Sequence, residues 1–548
     1  MTAAAKSYDG IVIGAGHHGL ILAAYMARAG LKVLLVERRL MYGGGLATVE
    51  ATLPGFYHNS HSINHFHITH TPWFRDLKLA EKVAYVTPFY EFGQPHPDGT
   101  ALVFSRDLET TLESVGHFSR KDAKTFREWN AKAEALTRDV LLPERFSEPL
   151  PAAEREALLS RTQLGRDFVA ITKREPFALV NELFEHEWVK LLFLFKVSLF
   201  GTWLVDTTGK SSPMGSVIRA FDLESGYQLC KGGSFNLARG LMERFIEAGG
   251  HYLNHAHVAR IMVEGGKATG IETADGTAIR ARKFVASTAN VHQTFEEMIG
   301  RDQLPEAYRQ KLDRFKYTAW TLFGVHFALN ESPDFAAAKF DPNLNKAQKW
   351  NVGAESIADL MSAHDDVKAG RVPTIVQFGS GALSANDPAQ APPGKHTTYA
   401  WHVMPYDPDR IGQNGGGKGW EDFEREFTER IVERFAHYAP NMTKRNILKT
   451  YTYTARTYAQ ELINMKGGDI FMGALSADQV MDKHWGYRTP VKRLYMAGSA
   501  SHPGGAISGG AGYISAGVIA RDLGIKPWWK PVDARKALEA MGKKAKRR

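Results

Sequence analysis

The hydrophobic pattern changes period twice near the start of the chain. Tyr8-Asp9-Gly10-Ile11-Val12-Ile13 is a short, mostly apolar run of strand length. From Leu20 to about Ala29 a long apolar pattern of helical length follows, which predicts a helix. Lys32-Val33-Leu34-Leu35-Val36 then predicts a second strand, ending on Glu37. Strand, helix and strand at this spacing read as one βαβ unit.

Further along, residues 106–200 are rich in Lys, Glu, Ala and Leu and read as mainly helical. Within them, the run from Val189 to Phe200 is strongly apolar. It is expected to be a buried core helix, with a lipophilic tunnel wall or a membrane-facing helix as alternatives. A second α/β segment begins near residue 231. A helix from Phe235 to Ala248 precedes strand-like runs at His257–Glu264, Ala268–Thr273 and Ala278–Ser287. Gly265-Gly266 and Asp275-Gly276 are the turns between these strands, so the segment reads as a β-meander. Residues 301–465 alternate strand-like runs and loops, clearest at Thr318–Leu329, Thr374–Phe378 and Thr397–Met404. Gly412 to Gly419 is glycine-rich, but it lacks a preceding strand and a GK[ST] ending, so it reads as a surface loop. A helix from Glu421 to Tyr438 follows. The block Val491–Tyr513 reads as strand, glycine-rich turn and small-residue helix, continuing to about Leu523.

The first turn carries the chemistry. Gly14-Ala15-Gly16-His17-His18-Gly19 joins the first strand to the helix. Gly14 permits the turn, Gly16 lets backbone approach a pyrophosphate, and Gly19 lets the helix close on the sheet. The helix N-terminus offers unpaired N–H groups to phosphate. Glu37 stands 18 residues after Gly19, where a carboxylate accepts from both ribose hydroxyls and disfavours a 2′-phosphate. The unit therefore predicts FAD or NAD rather than NADP, and redox chemistry.

Bulk properties narrow the setting. With 548 residues, 44% hydrophobic, the chain supports a large core and two interlocked domains. Cys230 is the single cysteine, so intramolecular disulfides are excluded and a reducing cytoplasm is expected. It reads as a buried, inert thiol. No apolar stretch approaches the roughly 20 residues of a membrane span. Met1–Lys6 is too short for a signal peptide, so the mature chain is expected to begin here. The net charge is +9, and much of that excess lies beyond Lys526, including the run Lys543-Lys544-Ala545-Lys546-Arg547-Arg548. Trp528-Trp529 beside lysines suits a peripheral membrane contact, and a solvated, partly disordered tail is the plainer expectation. No nucleic-acid-binding motif is present, so no nucleic-acid partner is expected.

GAGHHGL at Gly14–Leu20, PGFYHNSHS at Pro54–Ser62, GGDIFMGALSADQ at Gly467–Gln479 and SHPGGAISGGAGY at Ser501–Tyr513 line up in order across nearly the whole chain. Together they resemble the phytoene desaturase and flavin amine oxidase superfamily. Within it, the likeness is to the branch of pyridine nucleotide-disulfide oxidoreductase domain-containing protein 2. The chain departs from the family pattern at His18, Leu46 and Met472, where Asn, Arg and His are common. With no CxxC, dithiol chemistry is excluded despite the branch's name.

The resemblance implies an α/β fold: a Rossmann-like FAD-binding domain, discontinuous in sequence, with a mixed-sheet and helical substrate domain. Residues 1–70, 226–300 and 490–525 would form the first, residues 71–225 and 301–489 the second, and residues 526–548 a basic tail. Glu37 would hold the adenosine ribose with Arg38 beside it. The Gly43–Ala47 turn, including Gly44, Gly45, Leu46 and Ala47, would continue along the pyrophosphate. Val258 would meet adenine through its backbone. Gly498 and Ser499 would meet the pyrophosphate and ribityl chain. A helix start at Gly505, Ala506, Ile507 and Ser508 would aim N–H groups at the flavin pyrimidine edge.

The implied reaction is hydride abstraction from a C–H of an apolar or cyclic small molecule, with oxygen, a quinone or another acceptor reoxidising the flavin. An amine oxidase and a flavin-bound interaction protein without turnover are the alternatives. His502 is the leading acid–base candidate, against a purely structural bond to the turn backbone. His58, His61, His65, His67 and His70 cluster in sequence, with His61 expected to face the pocket. No metal is expected, because HExxH is absent and no carboxylate partner is clear. Trp203, Phe221, Trp320 and Trp401 are candidate cavity aromatics, with core packing the default for each.

Overall fold

The computed structural model describes residues 7–198, 204–205, 212–223, 226–406, 419–476 and 478–545. β1 (Ser7–Ile13), α1 (His17–Arg28) and β2 (Val33–Val36) form the unit that the periodicity predicts. α1 is buried along all but its last residue, because the helices Phe235–Glu247 and Gly510–Asp522 both pack on it. A helix enclosed by neighbours needs no polar face.

This unit seeds a seven-stranded sheet. β1 runs parallel to β2 on one side and to Ala278–Ser287 on the other. His251–Leu253 extends the sheet beyond β2, and the meander Val258–Glu264, Lys267–Thr273, Ala278–Ser287 completes the far side. Leu494–Met496 adds parallel to Ala278–Ser287. Three segments distant in sequence thus share one sheet.

A second seven-stranded sheet runs in the order Ile447–Tyr453, Trp320–Leu329, His396–Pro405, Phe378–Ser380, Lys349–Val352, Tyr90–Pro95, Ala101–Ser105. Trp320–Leu329 is buried throughout. Its Phe323, Val325, Phe327 and Leu329 join the core under helix Trp420–Tyr438, while Trp320 and Leu322 pack with Tyr458 and Phe471. Successive residues point to opposite faces, so both faces must be covered. A small three-stranded sheet ties His65–Phe66 and Tyr85–Val86 to Tyr227–Cys230.

Residues 108–198 are mainly helical. Glu187–Ser198 buries Leu191, Leu192, Phe193 and Leu194 in the helical core, so its described part is a core helix rather than a membrane-facing one. Cys230 is buried and unpaired. The glycine-rich run from Gly412 lies outside the described residues up to 418.

Helix Pro72–Asp76 carries Trp73 and Phe74 into the core that contains α1. The structure corrects three expectations. The strand predicted over Thr374–Phe378 lies at Phe378–Ser380, because the Thr374 N–H donates to the Asp366 carboxylate at 3.1 Å instead of to a ladder. The helix expected to start at Gly505 begins at Gly510. Gly504, Ala506 and Gly509 have φ of +94°, +65° and +68°, and left-handed backbone cannot propagate a right-handed helix.

The third correction concerns the tail. Trp529 is only 6% exposed. Its ring meets Tyr25 edge-on, with centroids 4.8 Å apart. The Trp528 indole N–H donates to the Tyr25 carbonyl at 3.1 Å, and the Arg28 guanidinium lies 3.9 Å from the Trp528 ring centre. Both tryptophans are therefore engaged by the nucleotide half, and this stretch of the tail is ordered. The following helix, Ala534–Ala545, packs on Ala152–Leu159 and buries Leu538 and Met541 in the helical core. The segment is a strap across both halves. Its last residues, 546–548, lie outside the described residues. Among the described residues, no helix is long and apolar enough to cross a membrane.

Candidate active site

A cavity of about 480 Å³ opens between the two large sheets, with one wall from each half of the molecule. The nucleotide-side wall is mostly backbone. Gly14 has φ +93°, and a Cβ there would lie 2.3 Å from Thr288 Oγ1. At Gly19 a Cβ would lie 2.0 Å from the Gly14 carbonyl oxygen, so only glycine lets α1 close on β1. The Gly43 N–H donates to the Ala15 carbonyl at 2.8 Å, and Gly44, at φ +57°, packs against Gly16. The two glycine loops thus nest together. α1 starts at Gly16 with no side chain capping its first turn, leaving N–H groups for an anion.

Gly14, Gly16, Glu37, Arg38, Gly44, Gly45, Val258, Ser499, Gly505, Ala506 and Ile507 all line the cavity. Five other candidates do not. Gly19 sits at the helix–strand contact, and Leu46 lies in the core. Ala47 is half-buried outside the lining. Gly498 is pressed against the Thr288 carbonyl, which a Cβ would approach to 2.3 Å. The Ser508 carbonyl accepts the Trp73 indole N–H at 2.8 Å, and its hydroxyl accepts the Gly510 N–H at 3.2 Å.

The Glu37 carboxylate accepts the Ala15 N–H and the Arg39 N–H, each at 2.9 Å. Those bonds use one lone pair on each oxygen and hold the group at the cavity edge, with acceptor capacity left over. Arg38 donates to the Glu461 carbonyl at 3.1 Å. Glycines at the backbone approach, an uncapped helix start and an anchored carboxylate at the second strand end together fit an adenine dinucleotide without a 2′-phosphate.

Both candidate histidines line the cavity. His502 Nε2 lies 2.8 Å from the Glu144 carbonyl. A carbonyl only accepts, so Nε2 carries the proton and Nδ1 keeps its lone pair. Burial lowers the His502 pKa to about 4. His61 Nδ1 contacts the Ser60 hydroxyl at 2.8 Å, and burial lowers its pKa to about 3, so the ring is neutral beside Glu461, 3.8 Å away. The other sequence-clustered histidines separate: His58 meets the Thr52 hydroxyl at 2.7 Å and His65 meets the Tyr85 hydroxyl at 2.8 Å. The His67 and His70 rings lie against each other at a tilt, with centroids 4.4 Å apart. Among the described residues no group of three or more ligands is arranged for a metal.

Apart from Trp401, the opposite wall holds residues that no local pattern marks. Phe66, Arg145, Arg219, Tyr227, Lys349 and Trp401 all line it. Lys349 Nζ lies 3.4 Å from the centre of the Tyr227 ring. Burial pushes the Lys349 pKa down to about 7, with Glu91 partly opposing the shift. Of the four candidate aromatics, Trp401 lines the cavity, Phe221 and Trp320 belong to cores, and Trp203 lies outside the described residues.

Comparison with known proteins agrees with this geometry. Residues 12–78 match the family described as NAD(P)-binding Rossmann-like domain. A limonene dehydrogenase component from Castellaniella defragrans is 30% identical over 96% of this chain and 97% of its own length. Pyridine nucleotide-disulfide oxidoreductase domain-containing protein 2 of Mus musculus is 27% identical over 94% of each chain. The lycopene-forming phytoene desaturase of a Paracoccus species is 25% identical over 94% of this chain and 97% of its own. Among solved structures, a redesigned putrescine oxidase shares the fold, with a TM-score of 0.60 over 95% of this chain and all of its own at 13% identity. The chain belongs to the phytoene desaturase and flavin amine oxidase superfamily and is an FAD-dependent oxidoreductase.

Proposed function

We propose that this protein is a dehydrogenase of the desaturase type, acting on an apolar or cyclic small molecule. The observation that carries the reading is the cavity between the sheets, with glycine backbone on one wall and aromatic rings on the other. Limonene and phytoene, named for two relatives, are molecules of that character. A protonated amine suits the cavity less, because Arg145, Arg219 and Lys349 would repel it.

In this reading Gly14, Gly16 and the start of α1 would hold the pyrophosphate and Glu37 the adenosine ribose, with Val258 toward adenine and Ser499 and Gly505–Ile507 toward the ring system. Bound there, FAD would supply the acceptor for a hydride from a substrate C–H, with oxygen or a quinone as the final electron acceptor. The proton left behind goes to a side chain. Lys349 is placed for this at Nζ, since a base works best with a pKa near the working pH and its own is about 7. His502 at Nδ1 is the second acceptor, and its pKa of about 4 makes it the weaker base.

Anaerobic stopped-flow mixing tests the proposal. A cyclic monoterpene, a cyclic ketone, a carotenoid and a primary amine are each mixed with the FAD-loaded protein. Bleaching of the oxidised flavin band by one of the first three supports the reading. Bleaching by the amine alone, with peroxide release in air, replaces it with amine oxidation.

A further inference from the structure

The cavity's inner wall carries more positive charge than its chemistry explains. Arg145 and Arg219 lie over the same ring, with guanidinium carbons 5.7 and 5.4 Å from the centre of Phe66. Phe66 meets Tyr227 edge-on, with centroids 5.7 Å apart, and Tyr227 carries Lys349 on its face. An aromatic pair is therefore flanked by two arginines and by Lys349, all of which line the cavity.

The acids nearby already face basic side chains, and among the described residues none of them pairs with Arg145. Glu144, next in sequence to Arg145, receives two bonds from Arg155, at 2.6 and 3.0 Å. Glu91 lies 3.8 Å from Lys196 and also acts on Arg106 and Lys349. Asp222 acts on Arg219. Among the described residues Arg145 is left over: its guanidinium forms neither a hydrogen bond nor an ion pair, and its only ring contact is Phe66. Burial and the neighbouring Arg219 both weigh against its charge, yet arginine does not deprotonate in proteins. The guanidinium is only part-buried and faces the cavity, so a ligand entering there can complete it. A hydrocarbon offers nothing to complete it. The phosphates of the dinucleotide belong at the Gly14–Gly19 and Gly43–Gly45 loops on the other wall.

We propose that the substrate is an apolar molecule bearing a carboxylate, received by Arg145 and Arg219 beside the Phe66–Tyr227 pair. This deepens the dehydrogenase reading and rests on it for the placement of the flavin. Arginine presents paired N–H donors that match a carboxylate, and the rings supply a flat apolar bed for the adjoining carbons. With the anion anchored, the carbon skeleton lies in the same cavity that His502 lines. Lys349 then remains free to act as the neutral base.

The test uses the FAD-loaded full chain, with cyclohexanecarboxylate and cyclohexanecarboxamide as probes. They share a shape and differ in charge. Calorimetry reads binding, and the flavin absorption band reads proximity to the cofactor. The expected result is at least tenfold tighter binding of the carboxylate, with a saturable shift of the flavin band. In Arg145→Gln that preference falls at least tenfold while FAD content stays at the wild-type level, and Arg145→Lys restores part of it. Equal binding of the two probes, no binding of either, or a preference that survives in Arg145→Gln overturns the proposal. Loss of FAD from both variants also overturns it, since Arg145 would then serve the cofactor. Carboxylate binding by calorimetry without any flavin response keeps the anion site but counts against the dehydrogenase reading, so the two failures are distinguishable.

Discussion

The two walls of the cavity are made of different material. On the nucleotide side the contacts come from backbone, with Gly14, Gly16, Gly44 and Gly45 lining it and Glu37 the anchored side chain. On the other side they come from long side chains, with Phe66, Arg145, Arg219, Tyr227, Lys349 and Trp401. Backbone cradles tolerate no added atoms and recognise an invariant group, here a pyrophosphate. Side-chain walls can be re-cut one residue at a time. The difference teaches that cofactor and substrate recognition are separable: damage to the first wall should empty the protein of FAD, and damage to the second should leave it yellow and slow.

The broadest expected effect involves both walls. Burial lowers the pKa of His17 and His502 to about 4 and of His61, His65 and His484 to about 3, all below the unfolded value of 6.5. Between 6.5 and these values the unfolded chain binds more protons, so stability falls as pH falls through that window. Each pKa unit is worth about 1.4 kcal/mol per group. Thermal melts from pH 7 to pH 4 should show a steep loss of stability together with release of FAD. A flat profile would mean that these rings are not buried neutral.

Next comes the backbone wall. Gly19→Val forces α1 away from the Gly14 carbonyl, which a Cβ would approach to 2.0 Å. FAD retention should fall by at least about a hundredfold, equivalent to about 2.7 kcal/mol. Dialysis followed by flavin quantification checks it. Glu37→Ala removes acceptors for the Ala15 and Arg39 N–H groups and for the ribose. Each charge-assisted bond is worth about 1.5–3 kcal/mol, so FAD should be lost on dilution. Full occupancy in this variant would refute the ribose assignment.

The smallest expected change in cofactor content belongs to the other wall. Lys349→Met should keep FAD and lose turnover, with the acid limb near pH 7 disappearing from the pH–rate profile. Stability offers an independent readout. The folded pKa of Lys349 is lowered to about 7 from 10.5, so its contribution raises stability as pH climbs through that interval. The variant should lack that rise. A Lys349→Met protein that is colourless would erase the distinction between the walls.

How much of this could be read from sequence follows from the same contrast. Gly14, Gly16, Gly19 and Glu37 act within one βαβ unit, so their spacing along the chain encodes their geometry. The meander at Val258 and the strand at Leu494 were also legible, because alternation and turn residues mark them locally. The substrate wall was not. Phe66, Arg145, Arg219, Tyr227 and Lys349 lie on five different segments, and only the tertiary fold brings them together. His502 was picked out by its glycine-rich neighbourhood, but its bond to the Glu144 carbonyl depends on a helix 358 residues away. The tail misled for a related reason. Trp528 and Trp529 look like interfacial residues until Tyr25, from the start of the chain, is seen beneath them.

The most direct test of the central claim is the visible absorption spectrum of the purified chain, with identification of the cofactor that heat releases. An oxidised flavin spectrum and close to one FAD for each polypeptide, retained through gel filtration, are expected. A preparation that shows no flavin band and takes up no FAD when supplied with it would contradict the account.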